Sequence, residues 1–448
     1  MKQSYFFESK QGLSDQSIDQ LIRAKNEPDW MKDFRKKGYR FFCKSKLPVI
    51  KGIDLSEINF NEIYSFLKPI EKQVDQWEKL PADIKATYEK LNIPVWERKY
   101  FAGVSAQYES MVVYEKTKEE LRRQGVIFVD MDTAVRQYGD KLQTLFGSVV
   151  AADENIFTAL NSAFWSGGVF IYVPKNVKVS LPLQSYFYIS RNQFGQFERT
   201  LILADEGSEV TYLEGCSAPV YSSYSLHAGL VEIIVKKRAK VRYITVQNWS
   251  KNIYNISIKR AVVEENGTID WTVASIGSKM TISYPTSILK GEGARSSHTG
   301  LTVATAGQVL NSGARVIHAA LRTSSNIVSK SLSLKGGKSI FTGNIRVPKE
   351  ISGTKSFMQC HSLILDNQSA SLSFPSLTIE NNQAQIGHEA TFGGLSEEQL
   401  FYLKSRGLTE EEATALLING YIAPVIKDMP PDYIVELRKL TEMEIKGG

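Results

Sequence analysis

Cysteine, long apolar runs and targeting signals are what this sequence has least of. Its 448 residues contain three cysteines, Cys43, Cys216 and Cys360, which are too few and too scattered for a disulfide framework. No stretch approaches the roughly 18 apolar residues of a membrane span, and the N-terminus "MKQSYFFESKQG" resembles neither a signal peptide nor a transit peptide. We therefore expect no membrane contact and a reducing compartment: the cytoplasm, or a plastid or other organelle stroma if the chain is organelle-encoded.

Motifs for nucleotide hydrolysis and for common hydrolase mechanisms are also missing. The stretch "LKGGKS" at 334–339 contains a GKS triplet, but Leu332 stands where a P-loop requires its first glycine. There is no GxGxxG after a strand, no HExxH and no GxSxG. If the process served by this protein consumes nucleotide, another subunit should hydrolyse it.

The positive charge is mild and dispersed. The net charge is +6, and the densest basic groups are "RKKGYR" at 35–40 and "VKKRAKVR" at 235–242. Such groups are typical of solvated faces, and no recognition-helix or zinc-finger pattern accompanies them. We therefore expect no nucleic-acid partner.

Composition divides the chain into three parts. We predict an N-terminal helical region over 1–120, a β-rich core over 121–388 with a helical segment near 131–165, and a C-terminal helical domain over 389–448. Ser14, Ser396 and Thr409 each stand where an N-cap would begin a helix. Gly407 and Gly420 are placed to end the two helices that follow Ser396 and Thr409, and a last helix should follow Pro430 and Pro431.

The core consists of short strand-like runs separated by Gly, Asn and Asp. Three of these runs align on Val210, Val241 and Ile269, which are 31 and 28 residues apart. A recurring unit of this length is typical of a solenoid, in which stacked coils bury one continuous core. The prediction is a mainly β protein with a parallel β-helix core. A β-sandwich is the alternative, although more than 220 residues of short strands would strain one sandwich.

Two strands near the end of the core carry candidate metal ligands. In "CHSLIL" the two-residue period predicts that His361 shares the apolar face with the leucines and that Cys360 points away. In "NQAQIGHEA" the same reasoning turns His388 toward the core and Glu389 away. Cys360 and Glu389 would then be lateral neighbours about 5 Å apart, an incomplete metal site that a second subunit would have to close.

The remaining cysteines and histidines are less distinctive. In "LEGCSAPVY" the strand phase around Cys216 is ambiguous, so a buried structural cysteine and a reactive thiol both stay open. Cys43 lies in a basic helical stretch and is interpreted as structural. Each histidine taken alone is more often a structural residue than a ligand.

Longer motifs resemble one family over nearly the whole chain. They include "IRAKNEPDWMKDFRKKGYR", "GQFERTLILADEGSEVTYLEGCSAP", "LHAGLVEI", "VQNW", "MQCHSL" and "NNQAQIGHEAT". Together they resemble the SufB/SufD family of scaffold subunits of the SUF iron–sulfur cluster assembly machinery. The HEA triplet at 388–390 and Cys360 resemble the SufB branch more than its paralogue SufD.

This resemblance implies both an architecture and partners. The architecture is a right-handed parallel β-helix flanked by N-terminal and C-terminal helical domains. The partners are a SufC-type ATPase docked on the C-terminal helices and a SufD-type paralogue, or a second copy of the chain, paired through the β-helix. A cysteine desulfurase and a sulfur-transfer protein would supply sulfur. The chain itself would be a non-catalytic scaffold carrying a transient iron–sulfur cluster, and binding of reduced flavin (FADH2) stays open.

The resemblance also implies roles for individual residues. Cys216 matches the cysteine that accepts persulfide sulfur, and His227 matches a position on the interior sulfur path. Cys360, Glu389 and His388 match the cluster site.

The chain departs from the family pattern at His361, where members often have Asp, and at Gly387, where they often have Glu. His361 is therefore a possible substitute ligand. Two rival hypotheses are a β-helix carbohydrate-active enzyme, which should show several outward carboxylates on adjacent strands, and a SufD-like structural subunit.

Overall fold

The architecture is seen in a computed structural model of the chain. It describes residues 5–74, 76–90, 103–219 and 223–427, together with 429, 434, 435, 437–439 and 441. None of the helices in these ranges is long and apolar enough to cross a membrane. The helix predicted after Pro430 and Pro431 falls largely outside the described residues.

Helices lie at both ends of the chain and before the main run of strands. Two short 3-10 helices, Phe60–Glu62 and Trp77–Lys79, accompany them. The α-helices are α1 (Asp15–Lys25), α2 (Asp29–Lys44), α3 (Ala82–Lys90), α4 (Glu119–Arg123), α5 (Met131–Gln137), α6 (Gly139–Leu145), α7 (Ile156–Phe164), α8 (Glu397–Ser405) and α9 (Glu410–Ile426).

Strands fill the middle of the chain. They are β1 (Phe7–Glu8), β2 (Leu67–Lys68), β3 (Gly103–Tyr108), β4 (Met111–Thr117), β5 (Ile127–Asp130), β6 (Val169–Val173), β7 (Leu183–Tyr188), β8 (Gly195–Gln196), β9 (Arg199–Ala204), β10 (Glu209–Ser217), β11 (Ser225–His227), β12 (Leu230–Val235), β13 (Lys240–Trp249), β14 (Ile253–Val263), β15 (Thr268–Gly277), β16 (Met280–Ser283), β17 (Thr286–Leu289), β18 (Arg295–Ala304), β19 (Val309–His318), β20 (Ser324–Ser333), β21 (Lys338–Val347), β22 (Lys355–Ile364), β23 (Ala370–Ile379) and β24 (Gln385–Gly393).

The strands from β6 onward coil between two sheets. The first sheet has the order β24-β22-β20-β18-β15-β13-β10-β7-β3-β4, and the second runs β23-β21-β19-β16-β14-β12-β9-β6-β5 with β8, β11 and β17 beside it. Within these two sheets neighbouring strands are parallel except β3–β4 and β5–β6. The result is a parallel β-solenoid of about eight turns, so the predicted β-helix is confirmed and the sandwich alternative is wrong.

The sequence repeat corresponds directly to the lateral register. Val210 of β10 pairs with Val241 of β13, which pairs with Ile269 of β15. Two residues further along each strand, on the same inner face, Tyr212, Tyr243 and Trp271 form an aromatic ladder. Their ring centroids are 5.4 Å and 5.2 Å apart. Such pairs contribute about 0.5–1.5 kcal/mol each beyond their buried area. Like side chains therefore stack from coil to coil.

The N-terminal part closes one end of the solenoid. Helix α1 begins at the predicted cap, since the Ser14 hydroxyl accepts from the Ser17 amide, and α2 packs against α7. The region predicted as helical also contains β3 and β4, and β3 adds a parallel strand beside β7. Val104, Ala106 and Tyr108 of β3 pack in one apolar cluster, a placement that composition alone does not reveal.

Of the two C-terminal helices, α9 lies on the outer face of the first sheet and α8 packs against α9. Ser396 and Thr409 cap α8 and α9 as predicted, and Gly407 has the left-handed backbone, with φ of 96°. Gly420 does not end α9, which continues to Ile426. The prediction was wrong because the apolar side chains of Ile422, Val425 and Ile426, which follow Gly420, pack onto the sheet and stabilise further turns.

Candidate functional site

Polar side chains occupy part of the space enclosed by the coils. Most interior positions of the first sheet form an apolar core. Polar residues occupy the interior positions toward the carboxyl ends of the strands, beginning on β10 with Glu214 and Cys216. Both side chains point inward because they share the alternation of Val210 and Tyr212 on β10. The position of Cys216, which the sequence leaves ambiguous, is thus on the interior face, and only 1% of the residue is exposed.

Glu214 is the centre of a buried hydrogen-bond network. Its carboxylate accepts from Tyr243 Oη at 2.5 Å and Lys259 Nζ at 3.0 Å. Gln247 Nε2 lies 3.2 Å from the Glu214 carboxylate and 3.3 Å from Cys216 Sγ. Burial alone would raise the pKa of Glu214, but the Lys259 ammonium and the Tyr243 hydroxyl outweigh it and hold that pKa below its ordinary value. Glu214 and Lys259 form an ion pair inside the solenoid.

This environment keeps the Cys216 thiol protonated. Burial raises its pKa well above the ordinary value, and the negative charges of Glu214 and Glu198 raise it further. Lys259 and Gln247 act in the opposite direction and are outweighed. A thiol in this state is a poor nucleophile, so reaction at Cys216 requires a change in its surroundings.

His227 lies on the second sheet and belongs to the same interior. Its Nε2 is 2.6 Å from Glu198 Oε1, and its Nδ1 is 2.7 Å from Asn255 Oδ1. The imidazole packs against Trp249 with ring centroids 4.6 Å apart, and Trp249 Nε1 donates to Gln247 Oε1. His227 is therefore linked to Cys216 through Trp249 and Gln247.

Cys360 also faces the interior, which corrects the predicted phase of β22. Its exposed fraction is 1%, and it packs in the core with Met358, whereas His361 is on the outer face. The prediction was wrong because the leucines that seemed to mark the core lie on the outer face, where Leu363 packs under α9. Burial raises the pKa of Cys360, with neighbouring serine hydroxyls opposing it.

Cys360 and Glu389 are therefore not the lateral neighbours that the sequence suggests. The register pairs Cys360 with Ala390 and Gln359 with Glu389. Glu389 is exposed and accepts from Gln359 Nε2 at 3.3 Å, so it lies on the opposite side of the sheet from Cys360. His388 shares the inner face, as predicted, and its Nε2 is buried without a hydrogen-bond partner in the described part of the chain.

The outer face holds the two residues at which the chain departs from the family pattern. His361 Nδ1 is 2.6 Å from Thr391 Oγ1. A side chain at Gly387 would put its Cβ 2.5 Å from the ring of Phe357, so that ring would have to move to admit one. The four candidate ligands thus fall into an inner pair, Cys360 and His388, and an outer pair, His361 and Glu389.

A polar column joins the two buried cysteines along the inside of the first sheet. Its members are buried and paired in register from strand to strand. Five steps of about 4.8 Å separate the strands of its ends, roughly 24 Å in all. The polar column consists of Cys216, Gln247, Ser275, Thr302, Ser331 and Ser362, the last of which is two residues beyond Cys360.

Several of these interior residues escaped sequence reasoning. Glu214, Gln247 and Lys259 were not singled out, yet the alignment of Val210 with Val241 already places Cys216 beside Gln247. A charged residue in phase with buried apolar ones on the same strand, as Glu214 is with Tyr212, was the signal to follow. Among the described residues no group of three or more Cys, His, Asp or Glu side chains is arranged to hold a metal.

The fold and the interior define a class: a parallel β-helix protein that carries two of its three cysteines and an ion pair inside the coil. Comparison with known proteins narrows that class. A family described as "SUF system FeS cluster assembly, SufBD core domain" matches residues 187–421, and "SufBD protein N-terminal region" matches residues 15–185.

Curated relatives agree with these matches. An iron–sulfur cluster assembly SufBD family protein of Staphylococcus aureus (strain MRSA252) is 49% identical over 442 residues, covering 99% of this chain and 95% of the relative. A protein with the same description from Staphylococcus haemolyticus (strain JCSC1435) matches equally well. The chain belongs to the SufBD family of iron–sulfur cluster assembly proteins.

Proposed function

We propose that this chain is the scaffold on which nascent iron–sulfur clusters are built within a SufB–SufC–SufD type complex. One observation carries the proposal: Cys216 and Cys360 face the same enclosed space on the same sheet, joined by the polar column. A purely structural subunit would have no need to bury polar residues there, because unpaired polar groups in a core cost about 1–3 kcal/mol each.

Cys216 is the sulfur acceptor in this proposal. A desulfurase or sulfur-transfer protein presents a cysteine persulfide, and Cys216 Sγ bonds to its terminal sulfur. The S–S bond of the donor breaks, and the donor leaves as a thiol that takes up the proton from Cys216. His227 and Glu198 lie on the same interior network, where they position the groups around the new persulfide.

Cys360 is the residue on which iron and sulfur meet. Since its strand lies roughly 24 Å from that of Cys216, the two thiols cannot exchange sulfur by direct contact. Transfer therefore needs a small thiol carrier, which takes the outer sulfur of the Cys216 persulfide as its own persulfide and gives it to Cys360, so that each S–S bond formed replaces one that is broken. The inner pair of Cys360 and His388 supplies a thiolate and an imidazole, and a cluster held by so few groups can be released. Glu389 and His361 would join only if the last strands rearrange.

Partner docking is supported by exposed apolar surface in two places. Strands β23 and β24 end the two sheets, and Leu377, Ile379 and Phe392 are exposed on them. These strands fit a SufD-type paralogue or a second copy of the chain, because an edge strand pairs readily with another strand. Helices α8 and α9 expose Phe401 and Leu416, at 75% and 51%, and fit a SufC-type ATPase.

Nucleotide-driven movement could reach Cys360 through α9. Tyr421 Oη donates to the carbonyl oxygens of His361 at 2.7 Å and of Ser331 at 3.2 Å. Lys330 Nζ donates to the carbonyl oxygen of Tyr421 at 2.7 Å. The helix proposed to bind the ATPase is thus bonded to the residue that follows Cys360, so a shift of α9 would move β22.

The deciding experiment is cluster reconstitution on the assembled complex under anaerobic conditions. We expect Cys360→Ala to abolish the visible absorption of the cluster and Cys216→Ala to abolish sulfur loading by the desulfurase. Cys43→Ala is the matched control, since Cys43 is exposed and distant from the interior. Unchanged cluster yield in Cys360→Ala, with native circular dichroism, would refute the scaffold assignment.

A further inference from the structure

The two densest basic groups of the sequence differ in how their charges are compensated. In the group at 235–242, three consecutive cations of the turn between β12 and β13 each have an acidic partner. These ion pairs are Lys236–Glu264, Lys237–Glu265 and Arg238–Glu206. In the group at 35–40, Arg35 is paired with the buried Glu27, whereas the other three cations are exposed and belong to no ion pair among the described residues. These unpaired cations are Lys36, Lys37 and Arg40.

Helix α2, which carries the unpaired cations, is anchored through one face. Met31, Arg35 and Gly38 recur at helical spacing and form its buried stripe. A Cβ on Gly38 would lie 2.8 Å from Ser162 Cβ, so this glycine lets α2 approach α7 closely. The anchoring face does not include the aromatic side chains of the stripe beside it.

An aromatic groove runs along that second stripe. Its floor consists of Trp30 and Phe34 from α2 and of Phe146, which follows α6. The Phe146 ring is edge-on to both, with centroids 6.1 Å from Trp30 and 5.0 Å from Phe34. Trp30 and Phe34 remain half-buried. The cavity measures about 360 Å³, and the three unpaired cations line it together with Asp33 and Gln143.

The charge and length of the aromatic groove suit an acidic peptide. The three cations at its rim face a single negative charge among the lining residues, that of Asp33. An apolar side chain placed in the groove would cover the half-exposed rings, and carboxylates beside it would meet the rim. The lining residues on α2 extend from Trp30 to Arg40, about 15 Å or nearly three helical turns. This length fits a peptide segment better than a compact small molecule.

We propose that the aromatic groove binds an acidic amphipathic segment of a partner protein. One apolar side chain of that segment packs on Trp30 and Phe34, and its carboxylates pair with the three rim cations. Half-exposed aromatic residues beside unpaired cations are typical anchors of protein interfaces. A nucleic-acid strand would need a longer row of cations to follow its phosphates. The site goes beyond the scaffold function, because it lies on the N-terminal helices and uses neither buried cysteine.

The test is binding of a synthetic peptide to the full chain, measured by fluorescence anisotropy. The probe is a fluorescein-labelled helix of about 16 residues, with Leu and Phe on one face and Glu on the other. We expect a dissociation constant on the order of 10–100 µM, because one apolar anchor and a few exposed ion pairs each contribute little. Raising the salt from about 50 to about 500 mM should weaken binding at least about fivefold. Absence of binding up to about 1 mM, or equal affinity for a peptide with Lys in place of every Glu, would overturn the proposal.

Two triple variants show whether the rim itself is responsible. One neutralises the rim of the aromatic groove and the other the paired cations of the second basic group; they are Lys36→Gln/Lys37→Gln/Arg40→Gln and Lys236→Gln/Lys237→Gln/Arg238→Gln. Both lower the net charge by the same amount. The rim variant should bind the acidic peptide about tenfold more weakly, and the control should change affinity less than about twofold. Equal losses would mean non-specific attraction and would overturn the site.

Trp30 reports on the floor of the groove. Trp30→Ala should weaken binding about tenfold, since it removes the largest ring under the apolar anchor. If that variant does not fold, the indole N–H signals of isotope-labelled tryptophan in the unaltered chain replace it. The Trp30 signal should shift when the peptide is added, and that of Trp271, buried in the solenoid, should not. An unmoved Trp30 signal would overturn the proposal, and a single-stranded oligonucleotide that binds the groove more tightly than the peptide would overturn it in favour of a nucleic-acid partner.

Discussion

The two buried cysteines occupy the same kind of position in unlike surroundings. Cys216 lies next to the Glu214–Lys259 ion pair, deep in the solenoid and beneath the N-terminal elements that include Leu67. Cys360 lies among serine hydroxyls on β22, with only β24 between its strand and the end of the sheet. Both thiols have raised pKa values because both are buried.

The difference between them suggests a division of labour. Charges enclosed by many coils make the Cys216 end rigid, since moving them would leave an ion uncompensated. The Cys360 end is held by hydroxyl groups and by a helix with exposed apolar surface, so it can rearrange at lower cost. A protein that accepts sulfur at one end and releases a cluster at the other would need these two properties.

The largest expected effect is at the charged end. Lys259→Met should lower the free energy of unfolding by about 3–5 kcal/mol, because Glu214 would remain buried without its counter-charge. Lys236→Met is the control: the Lys236–Glu264 pair is about 40% exposed, so its loss should cost less than about 1 kcal/mol. Equilibrium denaturation measures both. Restored stability in the Lys259→Met/Glu214→Gln double variant would support the explanation, and equal losses in the two single variants would contradict it.

The second prediction compares the thiols in alkaline solution. Each native thiol stays protonated above the unfolded pKa of about 8.5, so the native state then binds more protons and stability falls as pH rises. The loss should approach about 1.4 kcal/mol per pH unit for each such thiol. Denaturation at several pH values checks this. Replacing Cys216 by Ala should flatten the decline at least as much as replacing Cys360, and an unchanged slope in Cys216→Ala would show that its thiol ionises in the folded protein.

The third prediction concerns accessibility. Iodoacetamide should alkylate the exposed Cys43 first, Cys360 at least tenfold more slowly, and Cys216 more slowly still, because the opening that reaches Cys360 involves fewer strands. Mass spectrometry of peptides over a time course measures the three rates. Faster labelling of Cys216 than of Cys360 would contradict the inference that the Cys360 end of the solenoid opens more readily than the Cys216 end.

The smallest expected effect is at the contact between α9 and β22. Tyr421→Phe removes one hydroxyl that bonds two carbonyl oxygens, worth about 1 kcal/mol. Local opening near Cys360 should therefore increase about fivefold, and alkylation of Cys360 should accelerate by the same factor while that of Cys216 does not change. Equal acceleration at both cysteines would indicate general destabilisation and would exclude a specific link through α9.

The coil repeat was readable from the sequence because stacking imposes it. Val210, Val241 and Ile269 repeat at the length of one coil, and the register pairs them directly. Helix caps at Ser14 and Thr409 were equally local, since a cap involves only the next three residues. On β24 the alternation correctly turned His388 inward, because no helix covers the outer face beside it.

The phase of β22 could not be obtained in this way. Alternation identifies the core face of a strand only if the other face is solvated, and here α9 covers part of the outer face with apolar residues of its own. Leu363 therefore looked like a core residue, and Cys360 was turned outward. The same cause obscured Cys216, since Leu213 packs on the helical side and Tyr212 on the inner side.

The sequence by itself determined the solenoid, its repeat length and the N-caps at Ser14, Ser396 and Thr409. Those features depend on local propensity or on a period that neighbouring coils share. Only the tertiary structure decided that both cysteines face one interior and that Glu389 does not accompany Cys360. These facts depend on which face of each strand points into the solenoid. For β22 that cannot be read from alternation, because α9, almost fifty residues further along the chain, covers the outer face with apolar side chains.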